Sequence, residues 1–192
     1  MFLRRILPTV LILLGVLNTS WAQKMRVKAA SFSPIIQLTP GPGTGLEFGS
    51  LLKGAENPNS ILLADDNTAW IKITAPISSE LEIVFDLPDV LTLDQSTIPA
   101  TIRIAYSNTA TMSAITAKTA AIEVPGGFTT LRIPVKGANI GGPPPPPSSP
   151  LYANQPTADV YLFFFGSAGP AANDVVSGNY TGTLFLSVSL IN

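Results

Sequence analysis

With no histidine and no cysteine among its 192 residues, the chain leaves acid–base and metal chemistry to its carboxylates. Asp86, Asp89 and Asp94 gather around the end of a predicted strand. A carboxyl pair in such a place is what glycoside hydrolysis uses, one group as acid and the other as base or nucleophile. Asp65-Asp66-Asn67 offers a run of oxygen ligands of the kind calcium takes. Both groups fall where the chain must turn, however, and Asp and Asn suit turns because their side chains hydrogen-bond the local backbone. They are read as turns. Serine–histidine and cysteine–histidine nucleophiles and the usual zinc sites are excluded by composition. Gly41-Pro-Gly-Thr-Gly45 lacks the Lys-Ser/Thr that follows in a phosphate loop, and its proline has no amide to offer a phosphate, so it is read as a connection. The expectation is a protein that is not an enzyme and uses no cofactor or metal.

Two kinds of recognition remain. An unpaired strand edge presents free amides and carbonyls that a neighbouring chain can satisfy by adding a strand. The candidate assembly strands are the N-terminal one, through Met25, Val27, Ile36 and Leu38, and the C-terminal one, through Leu184, Leu186, Val188 and Leu190. The alternative is a glycan- or peptide-binding module in which Trp70, Tyr152, Tyr161 and Phe163 form an exposed platform. Clustered exposed aromatics favour binding, and buried aromatics beside an open edge favour assembly.

The elements that must position these residues read as strands. Gly178 to Asn192 is a turn followed by alternation, with Leu184, Leu186, Val188 and Leu190 on one face, which is how a half-buried strand is written. Met25–Ala29 and Ile35–Leu38 read as one strand in two pieces, broken at Ser33-Pro34, so it should lie on an edge or switch sheets. Leu46–Leu52 and Ile61–Ala64 read as short strands, with Gly49 marking a bulge or a close backbone approach. Ala69–Ala75 and Glu80–Asp86 read as sequential antiparallel strands. Pro88–Pro99 reads as a connection carrying Leu91 and Leu93, and Ala100–Tyr106 as a strand. Ile122–Val124 and Phe128–Val135 read as a hairpin across Gly126-Gly127, with Pro134 as an edge feature. Ala158–Phe165 is apolar on both faces and should be a central strand. Thr109–Ala121 fits either a helical turn or a weak strand.

Composition sets the frame. Residues 1–22 have basic Arg4 and Arg5, an apolar run from Ile6 to Leu17 and small residues around Trp21, the pattern of a secretory signal cleaved after Ala22. Export is therefore expected, to the periplasm, the outer surface or the medium. The remainder, 23–192, is read as one β-sandwich domain with a Pro-rich loop at 137–157, where Pro143 to Pro147 favour a stiff polyproline II segment. No later stretch is long and apolar enough to span a bilayer as a helix. Removing Arg4 and Arg5 from 11 basic side chains against 12 acidic ones leaves a net acidic chain, so nucleic acid is not an expected partner. Without cysteine the core must hold the fold unaided, which a chain of this length can do. Short strands separated by Gly, Pro and Asn clusters predict an all-β fold, a Greek-key sandwich of seven to ten strands.

Two motifs add a resemblance. Leu46-Glu-Phe-Gly49 looks like the Leu-x-Phe-Gly strand, and Gly178-Asn-Tyr-Thr-Gly182-Thr like the closing Gly-x-Tyr-x-Gly-Thr strand, of bacterial exported domains with a pilin-like, immunoglobulin-like sandwich, in the style of spore coat U and fimbrial subunits. Leu46, Phe48, Gly49, Gly178, Tyr180 and Gly182 carry it. The resemblance implies an immunoglobulin-like sandwich and a structural or adhesive role at the cell surface. Its implied partners are the protein itself or other surface subunits by strand exchange, and a periplasmic chaperone holding a final strand. Ile191 stands where fimbrial subunits often have tyrosine, and the cysteine pair many of them carry is missing.

Overall fold

The computed structural model describes residues 23–31, 36–43, 45–54, 56–109, 113–137 and 156–191. The signal segment 1–22, the break at Ser33-Pro34, Tyr152 and nearly all of the Pro-rich loop lie outside the described residues. The strands are β1 (Gln23–Ser31), β2 (Gln37–Pro40), β3 (Gly45–Gly49), β4 (Asn59–Ile61), β5 (Ala69–Pro76), β6 (Glu80–Asp86), β7 (Val90–Leu93) and β8 (Ser96–Ser107), then β9 (Ile122–Glu123), β10 (Thr130–Pro134), β11 (Thr157–Ala168) and β12 (Thr181–Ile191). One short helix, α1 (Ala114–Thr119), lies between β8 and β9. The fold is all-β, as its periodicity predicts, with twelve strands where seven to ten were expected.

These strands form a single curled sheet of mixed direction. One arm runs β3, β1, β12, β6, β10, with β7 beside the start of β12. The other runs β2, β5, β11, β8, β9, with β4 beside the end of β11. The joint is β8. Ser96 to Pro99 pair with β7, and Ala100 to Ser107 pair with β11. Pro99, with no amide to donate, stands at the changeover. Among the described residues every pairing is antiparallel except β1 on β12.

One core fills the curl. The first arm contributes Met25, Leu46, Leu81, Ile83, Phe85, Ile133, Leu184, Leu186 and Val188, and the second Ile71, Ile73, Ile104, Val160, Leu162 and Phe164. Alternate residues of β5, β6 and β12 supply these, so the two-residue period selects what is buried. Burial contributes about 1.5–3 kcal/mol per large aliphatic or aromatic side chain. The central strand β11 is buried on both faces from Val160 to Phe165, as its sequence demands. α1 packs on β11 and β8. Ser113 caps that helix by accepting the Thr116 amide, which settles Thr109–Ala121 as helical over its described middle.

Partner choice departs from the sequence reading in three places. β5 and β6 are consecutive but do not pair, because β5 lies between β2 and β11 while β6 lies between β10 and β12. The turn between them, with Ser78 at φ 68°, carries the chain from one arm to the other. β9 and β10 likewise form no hairpin, since β9 pairs with β8 and β10 with β6. Conversely, Pro88–Pro99 holds a hairpin. Leu93 pairs with Ser96 across Asp94-Gln95, with Asp94 at φ 52°.

Element ends moved as well. β3 stops at Gly49, whose φ of 73° leaves the extended region, and the ladder to β1 slips there, as the bulge expectation required. β4 ends at Ile61 because the Asp65 carboxylate takes the Leu62 amide at 2.7 Å and turns the chain. The two-piece N-terminal strand does switch arms, β1 lying on β12 and β2 on β5. Pro134 ends β10, the last strand of its arm, in the edge position expected of it.

Candidate functional site

The two predicted assembly strands lie against each other. Lys24 sits opposite Thr181, Met25 opposite Gly182, Val27 opposite Leu184 and Ala29 opposite Leu186, so β1 runs parallel to β12 over nearly its whole length. Met25, Leu184, Leu186 and Val188 are buried, while Val27 and Leu190 are partly buried against the core. Ile36 is buried and Leu38 half-buried, but both belong to the opposite arm through β2 and β5. The eight predicted residues therefore divide into one seam and one separate edge strand.

On its other side β1 pairs with β3 only from Gln23 to Arg26. From Val27 to Ser31 that edge has no ladder partner among the described residues. Alternate residues of this stretch, Val27, Ala29 and Ser31, turn their amides and carbonyls away from β12, where a further strand could meet them. The remaining edges, β2, β3, β4, β9 and β10, are two to five residues long, too short to template extensive pairing.

The motif residues brace this seam. Leu46 and Phe48 are buried in β3, opposite or beside Met25 and Lys24. A side chain at Gly182 would press on Leu91 Cδ2 and Met25 Cε, and one at Gly178 would collide with Leu93 Cδ2. Both glycines therefore let β7 and β1 close on the start of β12. Between them, Tyr180 is 1% exposed. Its phenolic oxygen lies 2.7 Å from the Val176 carbonyl and 2.6 Å from Ser96 Oγ, and Ser96 Oγ also accepts the Val176 amide at 3.2 Å. A phenol bonding backbone four residues upstream is the geometry of a tyrosine corner. Here it locks the entry of β12 to the β7–β8 hairpin. Sequence reasoning marked Tyr180 as a motif residue but had no signal for Ser96, its partner 84 positions away.

The aromatic platform is not on the surface. Tyr161 is 3% exposed and Phe163 is 0% exposed. Their rings stack 6.2 Å apart, Trp70 tilts against Tyr161 at 5.8 Å, and Trp70 is itself partly buried with the Gly41 backbone against its indole. Tyr152 lies outside the described residues. Burial, the Asp159 charge two residues away and the partly offsetting Lys72 charge hold the Tyr161 phenol above its ordinary pKa of 10.0. Asp159 is itself held by Thr74 at 2.6 Å and Lys72 at 3.5 Å. Tyr161 and Phe163 pack on the outer face of β11, out of reach of a ligand at the surface.

A shallow groove of about 310 Å³ between β8 and the β9–β10 connection is lined by Arg103, Glu123, Pro125 and Phe128 among others, and its wall is the Arg103–Glu123 ion pair. Among the described residues no helix is long and apolar enough to cross a membrane. No family model matches the chain, and no curated protein matches it.

Proposed function

We propose that this is a non-catalytic exported structural or adhesive protein of the cell surface, similar in style to a pilus or coat subunit, which assembles by exchanging β1. The observation that carries the reading is the parallel seam of β1 on β12, with no ladder partner among the described residues on the far edge of β1 from Val27 to Ser31. Processing after Ala22 would begin the chain at this strand. A β1 from a neighbouring copy would make the same hydrogen bonds to β12 as the chain's own, so exchange loses no strand contact and costs mainly the entropy of association. The Greek-key, immunoglobulin-like description and the periplasmic chaperone belong to the same proposal. The burial of Tyr161 and Phe163 in β11, together with the unladdered edge of β1 in the other arm, favours it over a glycan- or peptide-binding module.

The absence of native cysteine makes a clean test. Lys24 and Thr181 face each other across the seam on the solvent side. Lys24→Cys in one chain and Thr181→Cys in another, refolded together and oxidised, should give a disulfide-linked heterodimer that neither variant gives alone. The double variant should cross-link within one chain. If the double variant cross-links internally and the mixture stays monomeric at every concentration, β1 does not exchange and the assembly reading is lost.

A further inference from the structure

On the core face of β1 burial falls away along the strand. Gln23 and Met25 are buried, Val27 is partly buried and Ala29 is exposed. Among the described residues, Met25 is thus the one fully buried apolar side chain that β1 gives the core. It lies in a row across the sheet, with Leu46 opposite it on β3 and Gly182 opposite it on β12. Gly182 is two residues before the buried Leu184, so it stands on the inward face of β12. A Cβ there would lie 2.9 Å from Leu91 Cδ2 and 3.3 Å from Met25 Cε. The space that Gly182 leaves is therefore filled from both sides, by Leu91 of β7 and by the methyl end of Met25. Methionine suits such a place because its long, unbranched side chain bends to fill an irregular gap. Its neighbours on the same face of β1 do not. Val27 is short and branched at Cβ, Ala29 is smaller still, and Gln23 would carry an amide in between Leu46 and Leu91.

We infer that Met25, seated in the notch over Gly182, fixes the register of the seam, so that β12 accepts a strand bringing a long apolar side chain, unbranched at Cβ, to that one position. The backbone ladder alone cannot fix it. A slip of two residues along β12 keeps most of the parallel hydrogen bonds and the same inward face. What it changes is the side chain over Gly182. Sliding β1 one way sets Val27 there and leaves the notch underfilled, and sliding it the other way sets Gln23 there. The Lys24–Glu47 ion pair also marks the register, but a pair so open to solvent holds it weakly. Applied to strand exchange, the inference rests on that proposed reading and names what the seam recognises: the β1 of a second copy, read through its methionine. Strands with a β-branched or polar residue at this position are refused.

Disulfide trapping within one chain reads the register directly. Lys24→Cys/Thr181→Cys reports the observed register, and Arg26→Cys/Thr181→Cys reports the slip that places Val27 on Gly182. Both are oxidised at high salt, where the Lys24–Glu47 pair is screened. The first trap should exceed the second in yield. Adding Met25→Ala should bring that ratio down about tenfold or more, whereas adding Val27→Ala should leave it unchanged. Adding Met25→Val/Val27→Met should invert it. This swap keeps the same side chains on the strand, so it supplies the readout where Met25→Ala does not fold. A ratio that ignores the swap, or that falls equally with Met25→Ala and Val27→Ala, overturns the inference. Mixed single-cysteine chains separate it from the exchange reading. Cross-linking between chains that proceeds equally well with Met25→Ala overturns the inference and leaves exchange standing. Chains that never cross-link to each other, with an in-chain ratio still set by Met25, remove exchange and leave the inference standing for the chain's own strand.

Discussion

Tyr180 shows how one hydroxyl can fix the start of a strand. Its phenol has a single hydrogen, which the Val176 carbonyl accepts, so the Ser96 hydroxyl completes the second contact. Tyr180→Phe keeps the ring and removes its contacts to the Val176 carbonyl and the half-buried Ser96 hydroxyl, which water can reach in its place, a loss of about 0.5–1.5 kcal/mol. The denaturation midpoint should fall with an unchanged slope. Tyr161 makes a different prediction. Its pKa is raised in the folded state, so its contribution to stability is whole below the unfolded pKa of about 10 and is lost as pH climbs through the higher folded value. Melting temperature should therefore drop above about pH 10, and Tyr161→Phe should flatten that part of the profile. If both proteins lose stability equally there, the raised phenol is not the cause. At this scale the alternation showed which side chains are buried. It could not show that Tyr161 and Phe163 are covered, because Trp70 comes onto Tyr161 from β5 and α1 packs on β11 from a stretch whose period is ambiguous.

Among the elements, β12 has the strongest claim to hold the sheet together. It is paired with β6 on one side and β1 on the other, touches β7 at its start, and buries Leu184, Leu186 and Val188. Three such side chains amount to about 5–9 kcal/mol, comparable to the whole net stability of a domain, roughly 5–15 kcal/mol. Truncation after Gly178 should therefore abolish cooperative unfolding altogether, read by loss of a thermal transition in circular dichroism. A truncated chain that melts at a similar temperature would show that β6 and β1 close without it. The existence of β12, β5, β6 and β10 was legible because each repeats its apolar residues every second position, and that of β11 because it is apolar without a break from Val160 to Phe165. Pairing was not. Glu80–Asp86 follows Ala69–Ala75 after a tight turn, and locally that is a hairpin. What sends β6 to β12 instead is the match of Leu81, Ile83 and Phe85 to Leu190, Val188 and Leu186, more than a hundred positions on. The β7–β8 hairpin was missed for the opposite reason, since Pro88 and Pro99 hide a two-residue turn at Asp94-Gln95.

On the scale of the molecule, continuity through β8 makes the two arms one cooperative unit. β8 serves both arms, and the residues it buries join the same core as those of β12 and β5. A lesion in one arm should therefore be felt in the other. Of the two tryptophans, Trp21 belongs to the predicted signal, so Trp70 in β5 is the sole tryptophan of residues 23–192 and sits in the second arm. Leu186 lies in the first arm, buried opposite Phe85 and Ala29. Leu186→Ala removes its packing and leaves a cavity, at a cost of about 2–5 kcal/mol. If the sheet unfolds as a unit, Trp70 fluorescence and far-ultraviolet circular dichroism should shift together by that amount and superimpose as one transition. A Trp70 transition that keeps its wild-type midpoint while part of the dichroism is lost earlier would mean that the arms melt separately. β1 would then leave β12 without disturbing the rest of the sheet, and strand exchange would need only local opening. A single shared transition places the barrier to exchange at global unfolding, so subunits would have to assemble as they fold.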